Sequence, residues 1–226
     1  MFVGHFAVAL AAKKAAPKTS LGTLAIAVTF VDLLWPMFLL LGIEHVRIDP
    51  GNTAFTPLDF YDYPISHSLL TTVGWSIGFG LVYYVLRRSI QNALILAGCV
   101  VSHWVLDFVS HRPDMPLMPG FNKYVGLGLW NSVLATVIVE GAIFAIGILI
   151  YLRSTSALDR TGRYAFWSFV AFLVLAWLGS ATGSPPPNVT ALAIGALSAW
   201  LLIVWTYWID RHRRSNPKLE ASMPSK

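Results

Sequence analysis

His103, Asp107 and His111 stand four residues apart in the segment SHWVLDFVSH, residues 102–111. On a helix this spacing stacks them on one face. The segment closes a run of roughly 19 residues, apolar enough to span a bilayer. An ionisable group inside a bilayer costs a few kcal/mol on insertion scales and is by default a functional feature. Two imidazoles and a carboxylate in register are the groups that bind a transition metal or pass protons.

Other apolar segments carry similar groups: His5, Asp32, His67 and Glu140. At ~1.5 Å per helical residue, Asp32 lies ~16 Å, His103 ~12 Å and Asp107 ~6 Å below the outer end of its span, with His67 and His111 at the mouth. His5, eight residues before Lys13, lies ~12 Å from the basic face. No Lys or Arg falls at the depth of Asp32, which leaves histidines or a metal to compensate it. Imidazole and carboxylate suit Zn, Fe or Mn, and a set without thiolates fits a catalytic ion better than a structural one. Such an ion lowers the pKa of its water toward neutrality. Cys99 extends the 103, 107, 111 stripe, but a buried free cysteine ordinarily behaves as a small hydrophobe. Glu140 has no evident partner, and structural and proton-relay roles are both open.

The elements that must position these groups are membrane helices. Of the 226 residues, 56% are hydrophobic and 12% charged, and the mean hydropathy is +0.63. A soluble domain carries about 25% charged residues. The expected fold is an all-α integral membrane protein with six transmembrane helices near 20–43, 66–86, 92–110, 125–152, 164–183 and 188–209. A short N-terminal half-membrane helix precedes them. Residues 1–12 are apolar, but Lys13 and Lys14 follow the run rather than precede it, unlike a signal peptide. Residues 1–210 form one helical domain with the site in 1–115; residues 211–226 form a basic tail, partly disordered.

Thirteen of the sixteen basic residues fall in alternate connections: Lys13, Lys14 and Lys18; Arg87 and Arg88; Arg153, Arg160 and Arg163; and the C-terminal tail. The positive-inside rule places these, and the C-terminus, in the cytoplasm. The net charge of +5 therefore reads as topology rather than as nucleic-acid binding. Residues 44–65 are the longest outer connection, rich in turn formers and aromatics, and read as a lid or an interfacial loop.

Gly4–His5, an Asp in Val31–Asp32–Leu33, Ser66–His67–Ser68 and His103–x3–Asp107 with His111 together resemble the bacterial membrane-bound metal-dependent hydrolases of the YdjM type. That family is similar to zinc-dependent phospholipase C. The resemblance covers about the first 115 residues. It implies metal ligation by His5, Asp32, His67, His103 and Asp107, and a bacterial cytoplasmic membrane. The chain departs from the family at Asp62–Tyr63–Pro64, where the pattern has His-Arg-Gly, and carries one acid where the family often has two. The expected function is hydrolysis of a phosphoester or acyl bond in a lipid or lipid-linked substrate, using a divalent transition metal, zinc before Mn or Fe. Asp62 and His111 are the candidate acid–base groups; Ser66, Ser68 and Arg112 are candidates for binding substrate. The alternative is an ion- or proton-coupled transporter using the same cluster.

Cysteines introduced at Asn52 and Asn122 should label with an impermeant thiol reagent from outside the cell. Labelling from the cytoplasmic side alone would reverse the orientation.

Overall fold

A computed structural model describes residues 1–216 of the chain. It is mostly helical: α1 (Phe2–Ala15), α2 (Leu21–Val28), α3 (Phe30–Leu40), α4 (Pro64–His67), α5 (Leu69–Arg87), α6 (Ile90–Ser110), α7 (Val133–Ser154), α8 (Arg160–Thr182), α9 (Val189–Leu197) and α10 (Ala199–Arg211). Three two-stranded antiparallel sheets decorate the ends: β1 (His45–Ile48) with β2 (Leu58–Asp62), β3 (Met115–Pro116) with β4 (Tyr124–Val125), and β5 (Thr155–Ala157) with β6 (Arg213–Ser215). Among the described residues, five helical segments, with α9 and α10 counted together, are long and apolar enough to cross a membrane; the bent pair α2–α3 makes six. The exterior agrees, because Leu70, Ile77, Leu81 and Val85 on α5, Leu134 and Ile138 on α7, and Leu201 and Val204 on α10 all lie exposed. The chain is a multi-pass helical membrane protein.

The short helix α1 is the innermost element. Val3, Phe6, Ala7, Ala9 and Leu10 are all buried, and α1 packs against α7, α2 and α6. Apolar contact gives little net drive in lipid, so close backbone approach and hydrogen bonding carry the association. Gly147 on α7 permits that approach: a Cβ there would lie 2.6 Å from the Ala7 carbonyl oxygen. Gly80 does the same for α5 on α6, where a Cβ would meet the Ala93 carbonyl at 3.2 Å.

The segment expected as one straight span at 20–43 is broken at Thr29, and its halves meet at 56°. Thr29 turns its hydroxyl back onto the Ala25 carbonyl at 2.8 Å, which competes with the helical bond there. Pro36, inside α3, has no N–H to return to the Asp32 carbonyl. Residues 125–132 also depart from expectation: they form β4 and a 3-10 turn at Leu129–Asn131, so α7 starts only at Val133.

The basic tail was expected to be solvated from residue 211, yet β6 pairs with β5 in the register Thr155↔Ser215. The Arg213 guanidinium bonds Thr155 and lies over the rings of Tyr151 and Phe166. The rest of the tail, 217–226, lies outside the described residues.

Gly147→Ala should lower stability by about 1–3 kcal/mol through overpacking, read as a lower unfolding temperature in detergent. Gly98→Ala, where a Cβ meets open space, should be neutral or slightly stabilising.

Candidate metal centre

The bend in α2–α3 creates the site. Breaking the helix after Val28 frees that residue's carbonyl, and His103 Nδ1 of α6 meets it at 2.7 Å. A carbonyl only accepts, so Nδ1 carries the proton, which leaves Nε2 as the ligating or titrating nitrogen. Among the described residues Nε2 has no hydrogen-bond partner, and it faces two carboxylates, Asp107 Oδ2 at 2.9 Å and Asp32 Oδ1 at 3.5 Å. A lone pair against two carboxylates requires a cation there, either a proton or a metal.

His67 is fixed by a chain of bonds. Glu44, fully buried, accepts the backbone N–H groups of Ile65 and Ser66 at 2.7 Å each and so caps the single turn of α4. It also accepts the Ser66 hydroxyl at 2.6 Å. With its proton committed to Glu44, Ser66 Oγ accepts from His67 Nδ1 at 2.6 Å. His67 Nε2 is thereby turned inward, 3.3 Å from Asp32 Oδ1 and 4.0 Å from Asp107 Oδ2. A sequence reading treats Glu44 as one more acid of an outer loop; nothing in its neighbours marks it. The span expected near 66–86 does not start as one helix at its outer end. Instead His67 ends α4, and Ser68 caps α5 by accepting from Thr71 N at 3.2 Å.

His5 enters from α1. Its Nε2 lies 3.2 Å from Asp107 Oδ1, and its ring stacks on that of His103 at 3.8 Å. Glu140 explains the placement of α1: it accepts the Gly4 N–H at 3.2 Å and the Trp177 indole N–H at 3.0 Å. A carboxylate from α7 thus satisfies one of the N–H groups that a helix start leaves open. Asp107 has a further neighbour that side-chain counting overlooks, the α-amino group of Met1, which also lies 3.3 Å from Ser110 Oγ.

Two triads, His5–His103–Asp107 and Asp32–His67–His103, bring their donor atoms within 4.8 Å of one another and could hold a metal ion. Together they are the five residues singled out from sequence. A pocket of about 140 Å³ opens onto them, lined by His5, Asp32, His67, Asp107, His111 and aromatic side chains including Trp35, Phe60 and Trp130. His103 lies behind these residues, with 1% of its side chain exposed, whereas 41% of the Asp32 side chain is exposed.

His111 stands at the wall of this pocket, its ring 4.3 Å from Trp130 and 4.9 Å from Phe60 of β2. Its Nδ1 is held by Asp114 at 2.9 Å, and the Tyr63 hydroxyl also reaches Asp114 at 3.2 Å. Burial, with the Asp114 charge beside it, pushes the Tyr63 phenol well above its usual range, so it stays a donor. Within 44–65, the β1–β2 hairpin brings Phe60 against His111.

Four other sequence candidates are placed differently. Asp62 pairs with His45 at 2.8 Å and lines a separate outer cleft with Tyr61, Phe121 and Tyr124. Ser66 and Ser68 are wholly buried in the bonds above. Arg112 is engaged by Asp59 and, at 3.2 Å, by Asp114, so it braces the His111 partner.

No protein-family profile, curated protein or solved structure matches this chain.

Ser66→Ala cuts the link to His67 while keeping both backbone bonds of Glu44. Affinity for Co2+, followed by visible absorption, should fall about 10- to 100-fold with the fold intact. Unchanged affinity would show that this chain of bonds does not orient a ligand.

Proposed function

We propose that the protein is a membrane-embedded metal-dependent hydrolase of a lipid or lipid-linked phosphoester or acyl bond, as the resemblance to YdjM-type hydrolases implies. One observation carries the reading: the ring of His103 Nε2, Asp107 Oδ2, His67 Nε2 and Asp32 Oδ1, with successive separations of 2.9, 4.0, 3.3 and 3.5 Å. Bonds of about 2.0–2.1 Å to a tetrahedral ion would set donors about 3.3 Å apart, which these values bracket. The donor set suits zinc, with Mn or Fe as alternatives. His5, on the other oxygen of Asp107, orients that carboxylate or completes the shell.

When bound, such an ion supplies Lewis acidity and brings the pKa of water toward neutrality. The chain's own residues do the rest. His111, held by Asp114 through Nδ1, offers Nε2 as proton acceptor and then donor to the leaving group. Trp35 and Trp130 belong to the pocket's lining, and their buried indole N–H groups have no partner among the described residues. The small volume suits a headgroup ester better than a whole lipid, with the apolar part remaining in the bilayer. The site faces the outer leaflet, opposite the basic end and the cytoplasmic C-terminus of a bacterial inner-membrane protein.

Ion or proton carriage through the same cluster is less well supported. The residues one and two turns below the site on α2 and α6 are Leu24, Val28, Leu96 and Val100, all buried and apolar.

Purified protein should hold about one transition-metal ion by elemental analysis. His103→Ala and Asp107→Ala should lose it, and His45→Ala should keep it. Bacterial lipid extract should yield metal-dependent cleavage products. His111→Ala should keep the metal but slow product formation by roughly 10²–10⁴. Flux of an ion or solute into liposomes, abolished by Asp107→Ala with no product formed, would replace the hydrolase with a transporter.

A further inference from the structure

At the opposite end of the bundle, a polar cleft of about 330 Å³ lies between the start of α2 and the α5–α6 turn. Lys18, Ser20, Arg87 and Asn92 are among its lining residues. Lys18 and Arg87 are exposed and have no ion-pair partner among the described residues. Asn92 is 5% exposed, and its Oδ1 has no hydrogen-bond partner. Amide orientation is an assignment, so the same side chain can present N–H to the cleft. Asp210, the acid in the lining, is already bound by Lys13 at 2.8 Å.

This cleft does not stop at the polar end. It shares Thr23, Tyr83 and Arg87 with an apolar groove of about 580 Å³, lined also by Phe30, Trp75, Gly78, Phe79, Val82 and Leu86. The groove follows from the bend at Thr29. Phe30, the first residue of α3, packs edge-on to Trp75 at 5.8 Å and Phe79 at 5.4 Å, while α5 itself packs along α6. The volume falls in the range of sites that bury a small-molecule ligand. The arrangement is basic at the helix ends and apolar toward the membrane interior.

We infer that the groove and cleft together bind an anionic glycerophospholipid, its phosphate between Lys18 and Arg87 and one acyl chain along Phe30, Trp75 and Val82. Charge selects the headgroup: a basic pocket at helix ends fits an anionic lipid, and each juxtamembrane cation adds about fivefold in attraction. The continuous apolar groove selects a lipid over a free phosphate. The phosphate end of the site lies apart from the metal centre, because α5 separates Leu69 from Arg87 by roughly 27 Å of helix.

The test uses full-length protein, delipidated in detergent and titrated with phosphatidylglycerol or phosphatidylcholine of identical chains, with binding read by native mass spectrometry. The first phosphatidylglycerol should bind roughly 25-fold more tightly than phosphatidylcholine. Lys18→Ala/Arg87→Ala should abolish that preference, and Lys14→Ala, outside the cleft, should keep it. Gly78→Leu fills the groove, where a Cβ meets nothing within 4 Å, and should weaken both lipids with the charges intact. Equal binding of the two lipids, a preference that survives the double variant, or full displacement of phosphatidylglycerol by glycerol 3-phosphate would overturn the assignment.

Discussion

The hydrogen bond from His103 to the Val28 carbonyl is the interaction on which the rest of the site depends. It exists only because the helix breaks at Thr29; a continuous helix would give that carbonyl to the Asp32 N–H. The break therefore sets the proton on one ring nitrogen and starts a new helix whose first turn carries Asp32 toward the other. It also swings Phe30 away from the axis of α2 and opens a groove on the lipid side. One irregularity, marked by a threonine hydroxyl, organises both ends of the molecule.

Around it, two buried carboxylates act as helix caps at a distance. Glu44 closes the start of α4 and, through Ser66, turns His67. Glu140 closes the start of α1 and so fixes the helix that delivers His5. In an apolar medium an uncapped helix start is costly, because water cannot satisfy its N–H groups. Capping and ligand placement are therefore one event: the groups that make these short helices permissible also aim their histidines.

The ligand cluster was legible in the sequence because apolar spans make each polar residue conspicuous. Depth counted along helices put Asp32, His67, His103 and Asp107 in the same outer half, and they do meet. The spans were legible for the same reason. What could not be read was whatever depended on one residue bending the backbone or on partners distant in sequence. Thr29 is an unremarkable threonine until its hydroxyl is seen on Ala25. Glu44 looks like a solvent acid of a hairpin loop, and Arg112 like a free cation. Glu140 had no partner because Gly4 and Trp177 lie 136 and 37 residues away. The β5–β6 pairing joins residues nearly sixty apart across two spans, with three-residue strands too short to carry a period.

The central position of α1 bears on how the molecule is made. With 14 residues, it reaches about 21 Å and cannot hold itself across roughly 30 Å of hydrocarbon. The residues that seat it, Gly147, Glu140 and Trp177, are synthesised long after it. At about 5–20 residues per second, roughly 10–35 s separate the emergence of Gly4 from that of Trp177. Through that interval the helix carrying His5 has no berth in the membrane and must wait at its surface or within the insertion machinery. A chain released before α8 would already carry all five ligands but would lack Trp177, which holds the Glu140 carboxylate that seats α1.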